Sequence, residues 1–141
     1  MSREILFKAK RIDNGEWIRG DLITTPFIPY ILDIINADYD CFEDLNEGNG
    51  IFEVDPETVC QYTGLTDKSG RKIFEGDIVK VYERTAKEYL NNKVSYVGGS
   101  FLLIKEHYLN AHLGDYIKNE LEVIGNIFDN SELLEGSKEH D

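Results

Sequence analysis

Residues 57–82, ETVCQYTGLTDKSGRKIFEGDIVKVY, are the stretch that predicts the fold of this chain. Around Thr58 and Tyr62 the residues are β-branched or aromatic, and such side chains fit a pleated, half-buried surface. Residues 66–70 collect Thr, Asp, Ser and Gly, which bond their own backbone, so they predict a hairpin loop. Residues 78–82 then alternate with a period of two, as a strand with two unlike faces does. The stretch therefore predicts a hairpin and a second strand.

Working outward, the rest of the chain shows more of the same pattern. Asn14-Gly15 is a strong hairpin signal that favours a two-residue turn, and it separates two alternating runs. Gly98-Gly99 separates another pair. Further strands are expected at residues 30–35 and 120–128. The sequence predicts a mainly β fold built from hairpins, with one or two short helices. Residues 84–90 are a candidate helix, and residues 106–119 fit either a short helix broken at Gly114 or a packed loop. Residues 131–134 resemble a capped turn.

A Gly-Asp pair occurs twice in a similar setting. Two apolar residues and a charged residue precede both Gly20-Asp21 and Gly76-Asp77, and two apolar residues follow each pair. We interpret both as one structural device, in which glycine makes a corner and the aspartate accepts backbone N–H groups. Two explanations fit this pattern. Either one unit was duplicated, or two unrelated hairpins meet the same steric requirement with the same residues. We predict that Asp21 and Asp77 contact nearby backbone amides.

Several of these motifs together resemble the YopX family of bacteriophage and prophage proteins. The resemblance rests on QYTGL at 61–65, DK at 67–68 and IFEGDIV at 73–79, with GEWIRG at 15–20, VDPETV at 54–59 and EVIGNI at 122–127. It implies an all-β fold with small SH3-like barrels, a phage origin and no established activity. We expect an N-terminal β subdomain with an acidic loop at residues 1–58, an SH3-like subdomain at 59–135 and a tail at 136–141.

Composition narrows the classes of function. The net charge of −12, from 27 acidic and 15 basic residues, repels a phosphate backbone and makes nucleic acid an unlikely partner. No apolar run reaches membrane-spanning length, and no secretory signal precedes the two cysteines. Cys41 and Cys60 are therefore expected to be thiols in a reducing compartment, although the sequence alone leaves a disulfide open. We expect a protein of the host bacterial cytoplasm.

One segment, residues 33–57, is strongly acidic and contains no Lys or Arg. Its nine acids are Asp33, Asp38, Asp40, Glu43, Asp44, Glu47, Glu53, Asp55 and Glu57. The first interpretation is a solvated loop. The second is a calcium loop, although the glycine and glutamate of an EF-hand are out of register. The third is an acidic surface that mimics nucleic acid and engages a basic partner. Its interaction residues would be Asp38, Asp40, Glu43 and Asp44.

No catalytic, metal or cofactor site is predicted. His107 and His112 are five residues apart, which is wrong for two ligands one helical turn apart, and His140 lies in the tail. No phosphate-binding glycine pattern is present. The chain is expected to be non-enzymatic.

Gln61 and Tyr62 are the other candidate interaction residues, because the family resemblance centres on them. The simpler interpretation gives them a structural role beside the turn.

Two functions of the protein remain open. The first is a protein-interaction module that self-associates as a homo-oligomer and binds host or phage proteins. The second is a small β-barrel associated with nucleic acid, because residues 61–93 carry seven bases against five acids.

Overall fold

The computed structural model describes residues 3–33, 42–105 and 110–135, and within them the protein is mainly β. The strands are β1 (Phe7–Lys10), β2 (Trp17–Thr24), β3 (Pro29–Leu32), β4 (Asn46–Glu47), β5 (Gly50–Glu53), β6 (Cys60–Thr66), β7 (Lys72–Phe74), β8 (Asp77–Glu83), β9 (Glu88–Val97), β10 (Ser100–Ile104), β11 (Ala111–His112) and β12 (Glu122–Asn126). One short helix, α1 (Glu132–Glu135), completes the described part, with four single turns of 3-10 helix. These turns are Phe42–Asp44, Pro56–Thr58, Leu113–Asp115 and Lys118–Glu120.

The chain divides into two compact units, Met1–Tyr62 and Thr63–Asp141. In the first unit the strand order is β4-β5-β3-β2-β1-β6. A hairpin joins β1 to β2 at Asn14-Gly15 as predicted, and Gly15 takes a positive φ of 73° while the Asn14 side chain accepts the Glu16 N–H. The two-residue turn was a wrong prediction, because Arg11 and not Asp13 pairs with Glu16 across the loop. Among its described residues, the fully buried apolar cluster consists of Ala9, Ile31 and Val54.

The second unit contains the sheet β11-β10-β9-β8-β12 over a larger apolar cluster. The cluster consists of Ile73, Val79, Val81, Val94, Leu103, Leu113 and Leu121. The hairpin expected around Gly98-Gly99 is present, with Val97 paired to Ser100. The strand pairs close no barrel among the described residues, so the mainly β fold is confirmed and the SH3-like barrel is not.

The helix considered for residues 84–90 was a wrong prediction. β8 and β9 pair there through Glu83 and Glu88, and a four-residue turn joins them. Lys87 adopts φ 58° in that turn. Cross-strand pairing along all of β8 outweighs the weak local preference of this segment for helix.

The region 110–120 forms the short strand β11 and two 3-10 turns instead of the alternative of a helix broken at Gly114. Leu113 is fully buried there, so the segment is packed. Where a capped turn was expected at residues 131–134, residue 131 lies in a turn and the next three residues belong to α1, which begins at Glu132. Among the described residues no helix is long and apolar enough to cross a membrane. The expected tail, 136–141, lies outside the described residues.

Candidate functional site

Gln61 and Tyr62 lie in β6, where the first unit ends. Tyr62 is 8% exposed and its backbone N–H donates to the Leu6 carbonyl over 2.8 Å. Gln61 is half-buried and pairs with Phe7 of β1. Tyr62 thus offers little surface to a partner, and an interaction role for these two residues stays a prediction.

The predicted acidic residues are described only in part. Glu43 and Asp44 are exposed in the first 3-10 turn, whereas Asp38 and Asp40 lie outside the described residues. Glu47 is exposed on β4. Burial, and then the negative charges of Glu47 and Glu53, raise the pKa of Tyr30 above its ordinary value.

Calcium binding by this segment finds no support in the described part of the chain. No group of three or more His, Cys, Asp or Glu side chains is arranged there to hold a metal ion. Cys60 is a buried free thiol, and its Sγ lies 3.2 Å from the Thr58 carbonyl. Cys41, His107 and His140 lie outside the described residues, and His112 is exposed.

Asp67, in the family motif, is a structural residue. Its side chain is almost fully buried. One carboxylate oxygen accepts the N–H groups of Ser69 and Arg71, each over 2.9 Å. The other accepts the Val123 N–H over 2.9 Å and so ties the β6–β7 loop to β12. The predicted hairpin loop is confirmed, and this carboxylate determines its conformation.

The pKa of Asp67 is lower than its ordinary value. Burial by itself raises the pKa, but the N–H donors of Val123, Arg71 and Ser69 stabilise the charged form and outweigh burial. Because the folded pKa lies below the unfolded value of about 3.9, the ionised carboxylate adds stability above about pH 4. That stability is lost as the pH falls through the folded value.

We therefore expect the difference in free energy of unfolding between wild type and Asp67→Asn to be largest near neutral pH and to shrink toward about pH 2. The Asn side chain does not titrate, so the other carboxylates cancel in the difference. Urea titrations across this range measure it. A difference that is constant with pH would contradict the assignment.

The two Gly-Asp pairs turn out to be different devices. Asp77 is buried and accepts the Phe74 N–H over 2.8 Å at a corner where Gly76 has φ 86°, as predicted. Asp21 is exposed within β2, and within the described residues its carboxylate accepts no backbone N–H, so that half of the prediction was wrong. Gly20 is required for another reason: a Cβ there would lie 2.0 Å from the Leu32 carbonyl oxygen of β3.

The second unit contains a groove of about 260 Å³ beside β8, β9 and β12. We call it the tyrosine groove, and its principal residues are Lys68, Lys80, Tyr82, Arg84, Tyr89 and Glu122. Pockets that enclose a small molecule usually measure about 300–1,000 Å³. This smaller, open groove suits one or two side chains of a partner better than an enclosed cofactor.

Two exposed tyrosines dominate the tyrosine groove. Tyr82 and Tyr89 face each other across β8 and β9 and are 46% and 62% exposed. Their ring centroids are 5.2 Å apart at an interplanar angle of 72°, an edge-to-face pair. The Lys80 ammonium lies 5.3 Å from the Tyr89 centroid. Tyr and Arg are the residues that protein interfaces enrich.

The charges of the tyrosine groove favour an anionic partner. Glu122 pairs with Lys68 over 3.4 Å, and Glu120 accepts the Ile117 N–H over 2.9 Å. Within the described residues, no carboxylate pairs with Arg84 or Lys80. Both acids of the groove are thus engaged, whereas two of its three bases are available.

The sequence contained a signal for this groove that we misread. Once residues 84–87 are recognised as a hairpin turn, pairing of Glu83 with Glu88 places Tyr82 opposite Tyr89. The weak helical pattern over the same residues hid that register.

The strand edges offer little backbone for pairing with another chain. β4 and β11, each at one end of its sheet, have two residues each, and β7, the edge strand next to β6, has three. The edge of β12 is occupied, because the Leu121 and Val123 carbonyls accept from the Lys68 N–H and the Arg71 guanidinium over 3.0 and 3.1 Å. Among the described residues, side chains therefore offer another chain a better contact surface than strand edges do.

These features define a class of protein: mainly β, with open sheets, glycine corners held by buried aspartates, and a tyrosine-lined groove. The family model described as YopX protein matches residues 6–135, so the chain belongs to the YopX family. The resemblance found in the sequence is thereby confirmed.

One solved structure to which the chain is similar is the crystal structure of protein EF1440 from Enterococcus faecalis. The two share 24% sequence identity at a TM-score of 0.52, and the match covers 94% of this chain and 99% of that one. At this identity the likeness shows the fold alone. The comparison with curated proteins gives no match.

Proposed function

We propose that this protein is a non-enzymatic protein-interaction module that self-associates. We propose further that it is encoded by a phage or prophage and acts in the cytoplasm of the host bacterium. The observation that carries the proposal is the tyrosine groove, where an exposed aromatic pair stands beside Lys80 and Arg84, two bases that pair with no carboxylate of the described residues. Large, rigid aromatic side chains supply contact area at low entropic cost, which is how hot spots of interfaces are built.

Replacing Tyr89 by Ser is expected to weaken self-association by at least about 30-fold, the loss typical of a hot-spot residue. The expectation follows because Tyr89 is the more exposed half of the aromatic pair. Sedimentation equilibrium, with light scattering after size-exclusion chromatography, measures the dissociation constant.

Tyr96→Ser is the matched control, since Tyr96 is also an exposed tyrosine of β9 that packs on an aromatic neighbour, at 5.0 Å. It lies outside the tyrosine groove and should leave assembly unchanged. A strictly monomeric wild type, or equal losses in both variants, would count against the proposal.

A second candidate is a module that binds single-stranded nucleic acid. The observation in its favour is the same groove, since bases beside exposed aromatic rings can hold a phosphate backbone and stack its bases. The net charge of −12 opposes it. A salt-dependent shift of a labelled oligonucleotide would support this candidate, and no shift at low salt would exclude it.

The exposed Glu43 and Asp44 leave a third expectation in place, an acidic surface that mimics nucleic acid and engages a basic host protein. Their replacement by Lys would then abolish capture of a DNA-binding host protein.

A further inference from the structure

This inference rests on the proposed function and names the partner surface. We infer that the tyrosine groove of one copy receives the acidic turn of a second copy, defined as Glu43, Asp44 and Glu47. The contact joins two different surfaces of the same chain.

The groove supplies the chemistry that recognises carboxylates. Arg84 stands at the β8–β9 turn, where its guanidinium donates in a planar fork that matches a carboxylate. Lys80 adds a second positive charge beside the Tyr89 ring. Glu122 pairs with Lys68 and Glu120 accepts the Ile117 N–H, and the three bases that line the groove outnumber its two acids. An incoming acid therefore meets a net positive charge.

The acidic turn has the matching charge and a preformed shape. Its three acids are exposed, and residues 33–57 contain no Lys or Arg. Asn46 and Asn49 exchange two backbone hydrogen bonds of 3.0 and 2.9 Å, and the Asn49 side chain donates to the Asp44 carbonyl over 2.8 Å. A turn held this way loses little conformational entropy when it binds.

A second copy fits the groove better than a nucleic acid does. A polynucleotide would have to approach a chain with a net charge of −12, most of which lies outside the groove. The acidic turn presents only a few carboxylates, together with the half-buried Leu45 between them. Because groove and turn are different surfaces, the contact is head-to-tail and generates a ring or an open chain.

A charge-exchange experiment on the full chain tests the contact. The groove variant carries Lys80→Glu and Arg84→Glu, and the turn variant carries Glu43→Lys and Asp44→Lys. A matched control, Arg3→Glu with Lys118→Glu, makes the same change in net charge at two exposed bases outside the groove. Arg84→Glu alone is the reserve if the double groove variant does not fold. Sedimentation velocity follows assembly, and thermal melting confirms folding.

We expect each of the two variants alone to assemble at least about 30-fold more weakly than wild type at low salt. An equimolar mixture should restore assembly, because each reversed surface then finds its complement. The control should assemble as wild type does.

The alternatives give different results. If wild type is monomeric, the inference and the proposed self-association both fail. If wild type assembles but the control matches the groove variant, or folded variants are not restored by mixing, only the inference fails. If a labelled single-stranded oligonucleotide binds wild type and not the groove variant, the occupant is nucleic acid and the inference is overturned.

Discussion

Replacing Asp67 by Ala is expected to lower the free energy of unfolding by about 2–4 kcal/mol and the melting temperature by about 10 °C. The substitution leaves the N–H groups of Ser69, Arg71 and Val123 without their acceptor. A hydrogen bond to a charged acceptor contributes about 1.5–3 kcal/mol. Three of them do not add in full, because the amides of the exposed Ser69 and Arg71 can bind water instead.

Urea denaturation followed by circular dichroism measures this loss. Asp115→Ala is the matched control: Asp115 is an exposed aspartate of the same unit, and its replacement should change stability by less than about 0.5 kcal/mol. If the two variants are equally stable, the bonds of Asp67 contribute nothing and its burial is incidental.

Replacing Gly20 by Ala, a change of one methyl group, is expected to cost about 3 kcal/mol, the upper part of the range for overpacking. The added Cβ would lie 2.0 Å from the Leu32 carbonyl oxygen, which is backbone and cannot rotate away. β2 and β3 must therefore separate where Asp21 pairs with Leu32. The described part of the first unit has a cluster of only three fully buried apolar residues, so its remaining packing stabilises it little against this loss.

Trp17 makes this effect measurable in the first unit, because it is the one tryptophan of the chain and lies on β2. Its fluorescence should report a lower denaturation midpoint in Gly20→Ala. Gly114→Ala is the control, since a Cβ there meets no atom within 4 Å and no positive φ is involved. Equal midpoints for the two variants would show that β3 accommodates the methyl group.

Prediction from sequence succeeded where neighbouring residues decide the outcome. The hairpins at Asn14-Gly15 and Gly98-Gly99, and the loop after Thr66, follow from turn chemistry that operates over a few residues. The role of Asp77 at a glycine corner was foreseen for the same reason.

Prediction failed where a distant strand decides. Gly20-Asp21 matches Gly76-Asp77 in sequence, yet Gly20 is needed because β3 approaches it, a fact that no local pattern contains. The helix considered for residues 84–90 failed likewise, since pairing of β8 with β9 outweighed local preference.

In the second unit too, some features follow from neighbouring residues and others from strands that are distant in sequence. Local sequence predicted the hairpins and the aspartate that accepts a backbone N–H at the Gly76-Asp77 corner, because glycine and Asp act on the backbone within a few residues. Only the tertiary structure brought Lys68, Arg84 and Glu122 to one groove, since residues up to 54 positions apart meet there. Pairing of β8 with β9 and β12 sets that meeting, and such pairing depends on the register of whole strands, which single residues do not encode.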